Sequence, residues 1–527
     1  MASDQHENHQ PMYAFINASA GWLNPHIARF LRQHAPDLVV VDDVEQIPPG
    51  ADTVFQFCDG WELNQNFAVL NAARRGLINA YPSSDAVARK DYLSAVVQYW
   101  TAKRPGSVLV GHVPHTVRLT LDYAEYVDEG LAAADDLALL SSLEANEGRD
   151  EGEREWWILK PALVDCGAGI RLFSTVDELA GHLELVENET DGEDEDEEDE
   201  EAEEEGDGNA GEGAEGGSGG TSPESGAEKD KPCPSFFSPT LSTPGLDTLD
   251  ALVTTTNALS LSRPRQPAKA IRAKKPSYVF KAGGRIPSAQ MRCFVAQRYL
   301  HRVALIEGRK WHVRAYVAVV GRLRVYVFRE MLTLLAAERY APPWEDAKRP
   351  GGLLRASLTN TALQDAEEVE KGRSMRDFWR DEEAPGEDGG AVPRDLFPQL
   401  GDGWKEKLFE QICGVAAELF KAAAYTMADK FTPLNKCFEL FALDFLVDAD
   451  GAAWLLECNE TPAFYEQGVA GPMALRLMES LMCLVMEHMG VAEAGDPKNA
   501  ATRARFVEVL NETEKLGKSN IAEIMPE

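Results

Sequence analysis

Apolar residues along this chain follow two periods, and the period switches repeatedly. MYAFINA, DLVVVDD and DTVFQFCD are short runs rich in β-branched and aromatic residues, the pattern of strands. Between them lie stretches with helical spacing. NPHIARFLRQH opens with Asn24 as cap and Pro25 at the first helical position, and NQNFAVLNAARRG ends at Gly76. This alternation predicts a small parallel α/β domain over residues 12–85, preceded by a polar leader, residues 1–11. SSDAVARKDYLSAVVQYWTAK then predicts one capped helix, and SVLVGHVPHTVRLTL an extended segment. EWWILKPALVDCGAGIRLFST reads as strand, glycine-bearing loop and strand, and VDELAGHLELV as a short helix.

The pattern then vanishes. Residues 187–275 open with an acidic, glycine-rich tract and contain almost no apolar periodicity, so they are expected to be disordered: too little apolar surface is available to offset the entropy of ordering. Strands resume with SYVFKAG, MRCFVAQRYL, WHVRAYVAVVG and LRVYVFREMLTLLA. Residues 365–400 are polar and rich in Pro and Gly, and predict a loop with one short helix. WKEKLFEQICGVAAELFKAAAYTM is a long amphipathic helix, CFELFALDFLVDADGAAWLLECNETP a hairpin, and PMALRLMESLMCLVMEHMG a helix whose Met-rich face suits a core. A last helix is expected over about 500–525.

Composition changes this picture in three ways. With 527 residues and 44% hydrophobic content, the chain can build more than one sizeable core. The net charge is −35, but residues 187–230 alone hold 21 acidic side chains and one lysine, leaving −15 for everything else. That acidity argues against nucleic-acid binding. The chain has no apolar run of 18 residues, so no membrane span is expected. Its eight cysteines are scattered without a CxxC pair, which argues against zinc and against a disulfide framework. A reducing compartment, cytosol or nucleus, follows, with the cytoplasm and a monomeric state expected.

Three motifs carry candidate chemistry. In the hairpin, Phe438, Leu440, Ala442 and Asp444 share one strand face, and Leu455, Glu457 and Asn459 share a face of the next strand. A loop of two or four residues brings Asp444 onto the face of Glu457 and Asn459; a loop of three puts them on opposite faces. In the first case two carboxylates and an amide converge, an all-oxygen set suited to Mg²⁺; the alternative is a chance cluster at an exposed hairpin end. In WILKPALVDCGAGI, Lys160 closes a strand, and Gly167 and Gly169 follow in a loop that could approach phosphate oxygens. The spacing fits neither the P-loop nor the Rossmann fingerprint. Finally, Lys310, His312 and Arg314 alternate along one strand, either as a solvated face or as the anion-facing wall of a cleft.

Taken in order, the Lys160–glycine loop, QRYL, GRKWHVRAYV, FRE, LTNTALQ, FALDFLVD and WLLECNETP resemble the tubulin–tyrosine ligase-like family, nearest to its fungal members. The resemblance spans roughly residues 85–185 and 275–490. It implies an α+β chain with the ATP-grasp fold, in which two lobes clamp Mg-ATP. A central lobe would comprise residues 86–186 and 276–335, and a C-terminal lobe with the metal-binding hairpin residues 336–495, with a helix over 496–527. Carried over position by position, Lys90 and Lys160 resemble the phosphate-binding lysines. Gln297, Arg298, Tyr299 and Leu300 resemble the adenine-side segment, Lys310 a nucleotide-contacting lysine, and Thr359 and Asn360 the ribose-side pair. Arg314 resembles the arginine that meets phosphate and acceptor, and Asp444, Glu457 and Asn459 resemble the Mg²⁺ ligands. The implied reaction activates a protein carboxylate with ATP as an acyl phosphate, which a free amino acid then attacks to form an amide.

The sequence departs from the family pattern twice. His312 stands where the family's Lys-Phe-Asp-aliphatic-Arg motif has its acid, and Leu334 stands where an arginine follows FRE. These departures keep a second reading open, a nucleotide-binding scaffold with little turnover; an enzyme acting on a small-molecule acid is a third. One fungal type associates with processing bodies and carries an added SurE-like phosphatase domain, which this sequence is not expected to contain. The expected partners of the ligase reading are a free amino acid and an acidic protein tail such as that of tubulin. The tract EDEDEEDEEAEEE resembles such a tail, so it is expected to compete with substrate, as autoinhibitor or as acceptor in cis. Deleting residues 190–230 should lower the KM for an acidic peptide; an unchanged KM would discard the idea.

Overall fold

The computed structural model describes residues 10–58, 67, 70–164, 167–186, 284–349, 354–359, 374–380 and 392–516. The leader up to residue 9, all of residues 187–275, SYVFKAG up to Gly283 and Asn360 lie outside the described residues.

The described strands, in chain order, are β1 (Tyr13–Asn17), β2 (Val39–Val41), β3 (Thr53–Cys58), β4 (Arg75–Asn79), β5 (Thr116–Thr120), β6 (Trp157–Pro161), β7 (Arg171–Phe173), β8 (Cys293–Arg298), β9 (Leu305–Ile306), β10 (Arg309–Val320), β11 (Arg324–Leu335), β12 (Met375–Asp377), β13 (Cys437–Val447), β14 (Ala453–Asn459) and β15 (Phe506–Asn511). They form two sheets. One is a four-stranded antiparallel sheet in the order β5-β8-β6-β7. The other has eleven strands in the order β12-β11-β10-β13-β4-β3-β1-β2, with β14 on β13, β15 on β11 and β9 on β10.

The large sheet is buried on both faces. The helices Lys90–Ala102 and Trp404–Thr426 cover one face, packing against Val313, Ala315, Val317, Phe441, Leu443 and Phe445. The helices Asn24–Arg32 and Ala470–His488 cover the other, against Ala318, Val320, Phe438 and Leu440. The Met-rich face of Ala470–His488 is core, since Met473, Met478, Met482 and Met486 are buried there. Each strand thus divides its alternate residues between two apolar layers, and this makes any polar residue on it conspicuous.

Four expectations need correction. The first segment is not a sheet of its own. β1 to β4 are parallel, but Cys437 and Phe438 of β13 pair with Ile78 and Asn79, so the sheet continues into the rest of the chain. Gly76, expected to end a helix, lies inside β4; the short RGLIN run carries β-pairing that its helical flank concealed. The lobe boundary expected at residue 335 falls earlier, because β10 and β11 pair with β13 and β12 rather than with β8. And the C-terminal helix is interrupted: Phe506–Asn511 is a strand paired antiparallel to β11. Its Phe506 packs on Tyr326 and Phe328, an aromatic contact that outweighs local helical preference.

The site hairpin closes through a connection longer than any considered above, and an odd one. Val447 pairs with Ala453, which leaves five residues, 448–452, in the connection. An odd connection should place Asp444 and Glu457 on opposite faces. A β-bulge between Asp444 and Phe445 on β13 and the facing residues of β14 restores the match: Phe445 pairs with Leu455, but Asp444 pairs with Glu457. Leu455 consequently turns to the helix-covered core and not to the face of Glu457, and Leu456 and Glu457 both face the cleft. Gly451 makes the tight connection possible with φ +84°, and a Cβ there would collide with the Leu400 side chain. Gly451→Ala should therefore cost about 1–3 kcal/mol of stability, read from the denaturation midpoint.

Candidate active site

One strand face explains how the site is built. On β10 the alternate residues Lys310, His312 and Arg314 give way to Tyr316, Ala318 and Val320. On antiparallel β13 the matching face runs Phe438, Leu440, Ala442, then Asp444 and Leu446. Register pairs Arg314 with Asp444 and Tyr316 with Ala442, so the apolar halves meet under the helices and the polar halves meet along the cleft. The four-stranded sheet adds Lys160 from β6 and Gln297 and Arg298 from β8.

A cavity of about 320 Å³ results. Of the residues singled out in the sequence, Lys90, Lys160, Gly167, Gln297, Arg298, Tyr299, Leu300, Lys310, Arg314, Thr359, Asp444, Glu457 and Asn459 line it. Gly169 does not, although its φ of +70° matches that of Gly167 at +76° in the same loop. His312 and Leu334 also line it.

The cationic wall is tightly held. Lys160 Nζ donates to Gln297 Oε1 at 2.8 Å, and Gln297 Nε2 donates to Thr116 Oγ1 at 3.1 Å. Lys90 Nζ reaches the Val164 carbonyl at 3.0 Å, fastening the loop after β6 to the start of a helix. Lys310 Nζ lies 4.2 Å from the centre of the Tyr299 ring, a cation–π contact. The Tyr299 hydroxyl donates to Ser357 Oγ at 3.1 Å. The Arg298 and Tyr299 N–H groups are taken by the His115 and Trp156 carbonyls, and the Arg298 guanidinium turns outward to Glu155. Of the adenine-side segment, Gln297 therefore serves Lys160 rather than a base.

Opposite stands the acidic edge. Arg314 donates to Asp444 through Nε at 2.9 Å and Nη2 at 2.8 Å, a bidentate fork. Asn459 Nδ2 lies 3.3 Å from Asp444 Oδ2. His312 Nδ1 is 2.6 Å from Thr359 Oγ1, and its Nε2 is 3.6 Å from Asp444 Oδ1. Burial alone would raise the Asp444 carboxyl, but the Arg314 guanidinium and then His312 outweigh it and hold the group well below the usual carboxylate range. Among the described residues no three His, Cys, Asp or Glu side chains form a metal cage. The donors present are two carboxylates and an amide, which fits a hard cation that shares its shell with phosphate oxygens. Arg314 holds both Asp444 oxygens here, and each oxygen keeps a further lone pair with which to meet a cation.

Sequence reasoning missed the apolar lining, Ile158, Ile170, Leu446 and Leu456, together with Thr461, Pro462 and Tyr465. Leu446 was within reach, since it lies two residues after Asp444 on the same face. Leu456 was not, because the bulge alone turns it inward. Leu334 sits across from His312 and is fully packed, so no arginine occupies that wall; Arg329 and Glu330 of FRE pair outward with Glu406 and Arg476.

Burial pushes Lys310 down to about 7, with Lys160 adding repulsion, and pushes Lys160 down to about 8 although Glu457 opposes the shift. A bound polyphosphate favours the charged lysines and raises both values. Affinity for ADP should thus be greatest below about pH 7 and fall as pH rises to about 9, with net proton uptake on binding near pH 8. Calorimetry in buffers of different ionisation enthalpy reads the uptake, and pH-independent affinity would contradict it.

Comparison with known proteins shows what the chain is similar to. Residues 268–489 match the tubulin-tyrosine ligase family model. Over 473 residues the chain is 28% identical to a protein of Schizosaccharomyces pombe named probable tubulin–tyrosine ligase, covering 90% of each. It is 27% identical over 447 residues to PBY1 of Saccharomyces cerevisiae, which bears the same name, and spans 83% of this chain but 47% of that one. A probable beta-tubulin polyglutamylase of Tetrahymena thermophila is 30% identical over 185 residues, 32% of this chain and 14% of that one. Among solved structures, the C-terminal domain of K. lactis Pby1, described as an ATP-grasp enzyme interacting with the mRNA decapping enzyme Dcp2, superposes with a TM-score of 0.54 at 21% identity, over 95% of this chain and 99% of that one. The chain has the ATP-grasp fold, and its residues 268–489 are similar to the tubulin-tyrosine ligase family.

Proposed function

We propose that this protein is an ATP-dependent ligase that joins an amino acid, tyrosine or glutamate, to a carboxylate of an acidic protein tail such as that of tubulin. The observation that carries the reading is the convergence of Lys160, Lys310 and Arg314 on one side of a single cleft with Asp444, Glu457 and Asn459 on the other. Such a site does its work by positioning and charge neutralisation, without a protein nucleophile.

Each residue has a definite task in this reading. Lys90 and the buried Lys160 and Lys310 hold phosphate oxygens in the cavity. Tyr299 and the aliphatic lining of Ile158, Ile170 and Leu446 offer a slot for a base, and Thr359, held by His312, faces the ribose side. Arg314 leaves Asp444 and turns its fork to the transferred phosphoryl group and the acceptor carboxylate, which would become an acyl phosphate. Asp444, Glu457 and Asn459 would hold Mg²⁺, which supplies charge neutralisation on the phosphates when bound.

A second reading has its own support. Leu334 leaves one wall without an arginine, and the Arg314 fork closes on Asp444, as suits a domain that binds nucleotide and turns over slowly. The decapping-enzyme interaction of the K. lactis relative gives that reading a cellular setting, a processing-body scaffold.

Incubation with Mg-ATP, acidic tail peptides and single amino acids, read by product mass, separates the two. The ligase gains one tyrosyl or glutamyl residue per peptide; nucleotide binding without product favours the scaffold. Asp444→Ala and Glu457→Ala should each abolish Mg-ATP binding, and retained binding would break the metal assignment.

A further inference from the structure

One fully buried acid does not line the cleft. Asp346 ends a short helix, Pro343–Asp346, and is wholly enclosed, yet neither of its carboxyl oxygens has a hydrogen-bond partner. Arg349 Nε stands 3.5 Å from Oδ1, but that guanidinium is partly exposed and gives its Nη1 to Glu338. A buried carboxylate without donors is costly, and such a group calls for a reason.

The reason lies in what the short helix packs on. Trp344 and Ala347, which flank Asp346, pack with Tyr299, Ile158 and Leu354. Lys310 Nζ rests over the Tyr299 ring in the cleft. Burial lowers the Lys310 ammonium and Lys160 repels it, and Asp346 opposes both. The same acid acts on the Tyr340 hydroxyl, which burial pushes up to about 12. Among the described residues the other elements against Lys310 bring no free acid. β6 brings Lys160, the segment after β8 brings Tyr299, and β9 and β11 bring Leu305 and Ala336. His312 follows on its own strand. Glu307, in the turn before β10, is taken by Arg376, and Glu457 across the cleft acts on Lys160.

We infer that Asp346 is a positioning residue for the nucleotide, the buried counter-charge that keeps Lys310 an ammonium on Tyr299, ready for a phosphate oxygen. The inference rests on the nucleotide-binding part of the proposed function. Asp346 touches no ligand and acts only through Lys310. Its want of hydrogen bonds fits that task. A carboxylate bonded to Lys310 would occupy the N–H donors that phosphate needs, whereas one held out of bonding range supplies charge and leaves them free.

The test uses the full chain, ADP as probe, and Asp346→Asn, which removes the charge and has no hydrogen bond to lose. Between about pH 5.5 and about pH 8, the ratio of variant to parent affinity should fall by roughly five- to tenfold, because Lys310 then titrates about one pH unit lower and binding has to recharge it. A merely structural role would weaken binding alike at both ends. Competitive acetylation of the free protein with acetic anhydride, read by peptide mass, follows the Lys310 amine without any nucleotide. Its midpoint should fall by about one pH unit in Asp346→Asn, and likewise in Asp346→Ser, a second variant. In Lys310→Arg, which stays charged, adding Asp346→Asn should leave the pH profile of ADP affinity unaltered. The inference is overturned if the Lys310 midpoint stays put in both variants, or if the affinity ratio is flat across pH. If the midpoint moves while ADP binds none of these proteins, the counter-charge stands and the nucleotide reading falls.

Discussion

Arg314 and Asp444 face each other across β10 and β13 with little water around either. The Arg314 guanidinium, charged at any working pH, is satisfied only by two parallel acceptors, and Asp444 supplies both. Removing one partner of a buried pair leaves the other as an uncompensated charge, at about 3–5 kcal/mol. The pair also fixes register, since sliding β10 by one residue would bury Arg314 under the helix Trp404–Thr426. Placed where the apolar half of the face ends, it holds open the polar half. Lys310 and His312 follow from it on one strand, and Glu457 and Asn459 lie beside it on the other.

This arrangement makes stability and chemistry compete for the same carboxylate. Asp444 stabilises the sheet while Arg314 holds it, and a cation would draw on the same two oxygens. The buried lysines show a related tension. Lys160 and Lys310 are desolvated at a cost that lowers their proton affinity, and an arriving anion removes that cost. A cleft built this way is poised to change with its ligand rather than to sit preformed around it.

How far the sequence disclosed this depended on the scale of the feature. Strand and helix identity was legible wherever a long periodic run existed, as in β10, β11, β13 and the helices 404–426 and 470–488. The cationic stripe on β10 was legible because alternation along one strand is a local property. Pairing was less so. RGLIN looked like the tail of a helix, and Phe506–Asn511 like the middle of one, because what makes each a strand is a neighbour far away in sequence. The face shared by Asp444 and Glu457 came out as expected for a reason not anticipated: an odd connection corrected by a bulge at Leu456, where no glycine or proline marks the site. The outward turn of Arg298 was hidden likewise, since its partner Glu155 lies far away in sequence.

The central position of β13 has a mechanical consequence. This strand carries Asp444 beside the cleft and Glu439 beside a second cavity of about 290 Å³, five residues apart, a span of roughly 17 Å at strand rise. It is laddered to β10 along one edge and to β4 and β14 along the other. A strand tied on both sides neither stretches nor slips without breaking its ladders. It therefore serves as a ruler between the two chambers, keeping their acids at a fixed spacing through any cycle. Adjustment to the contents of the cleft has to come from the other wall, the separate four-stranded sheet that brings Lys160.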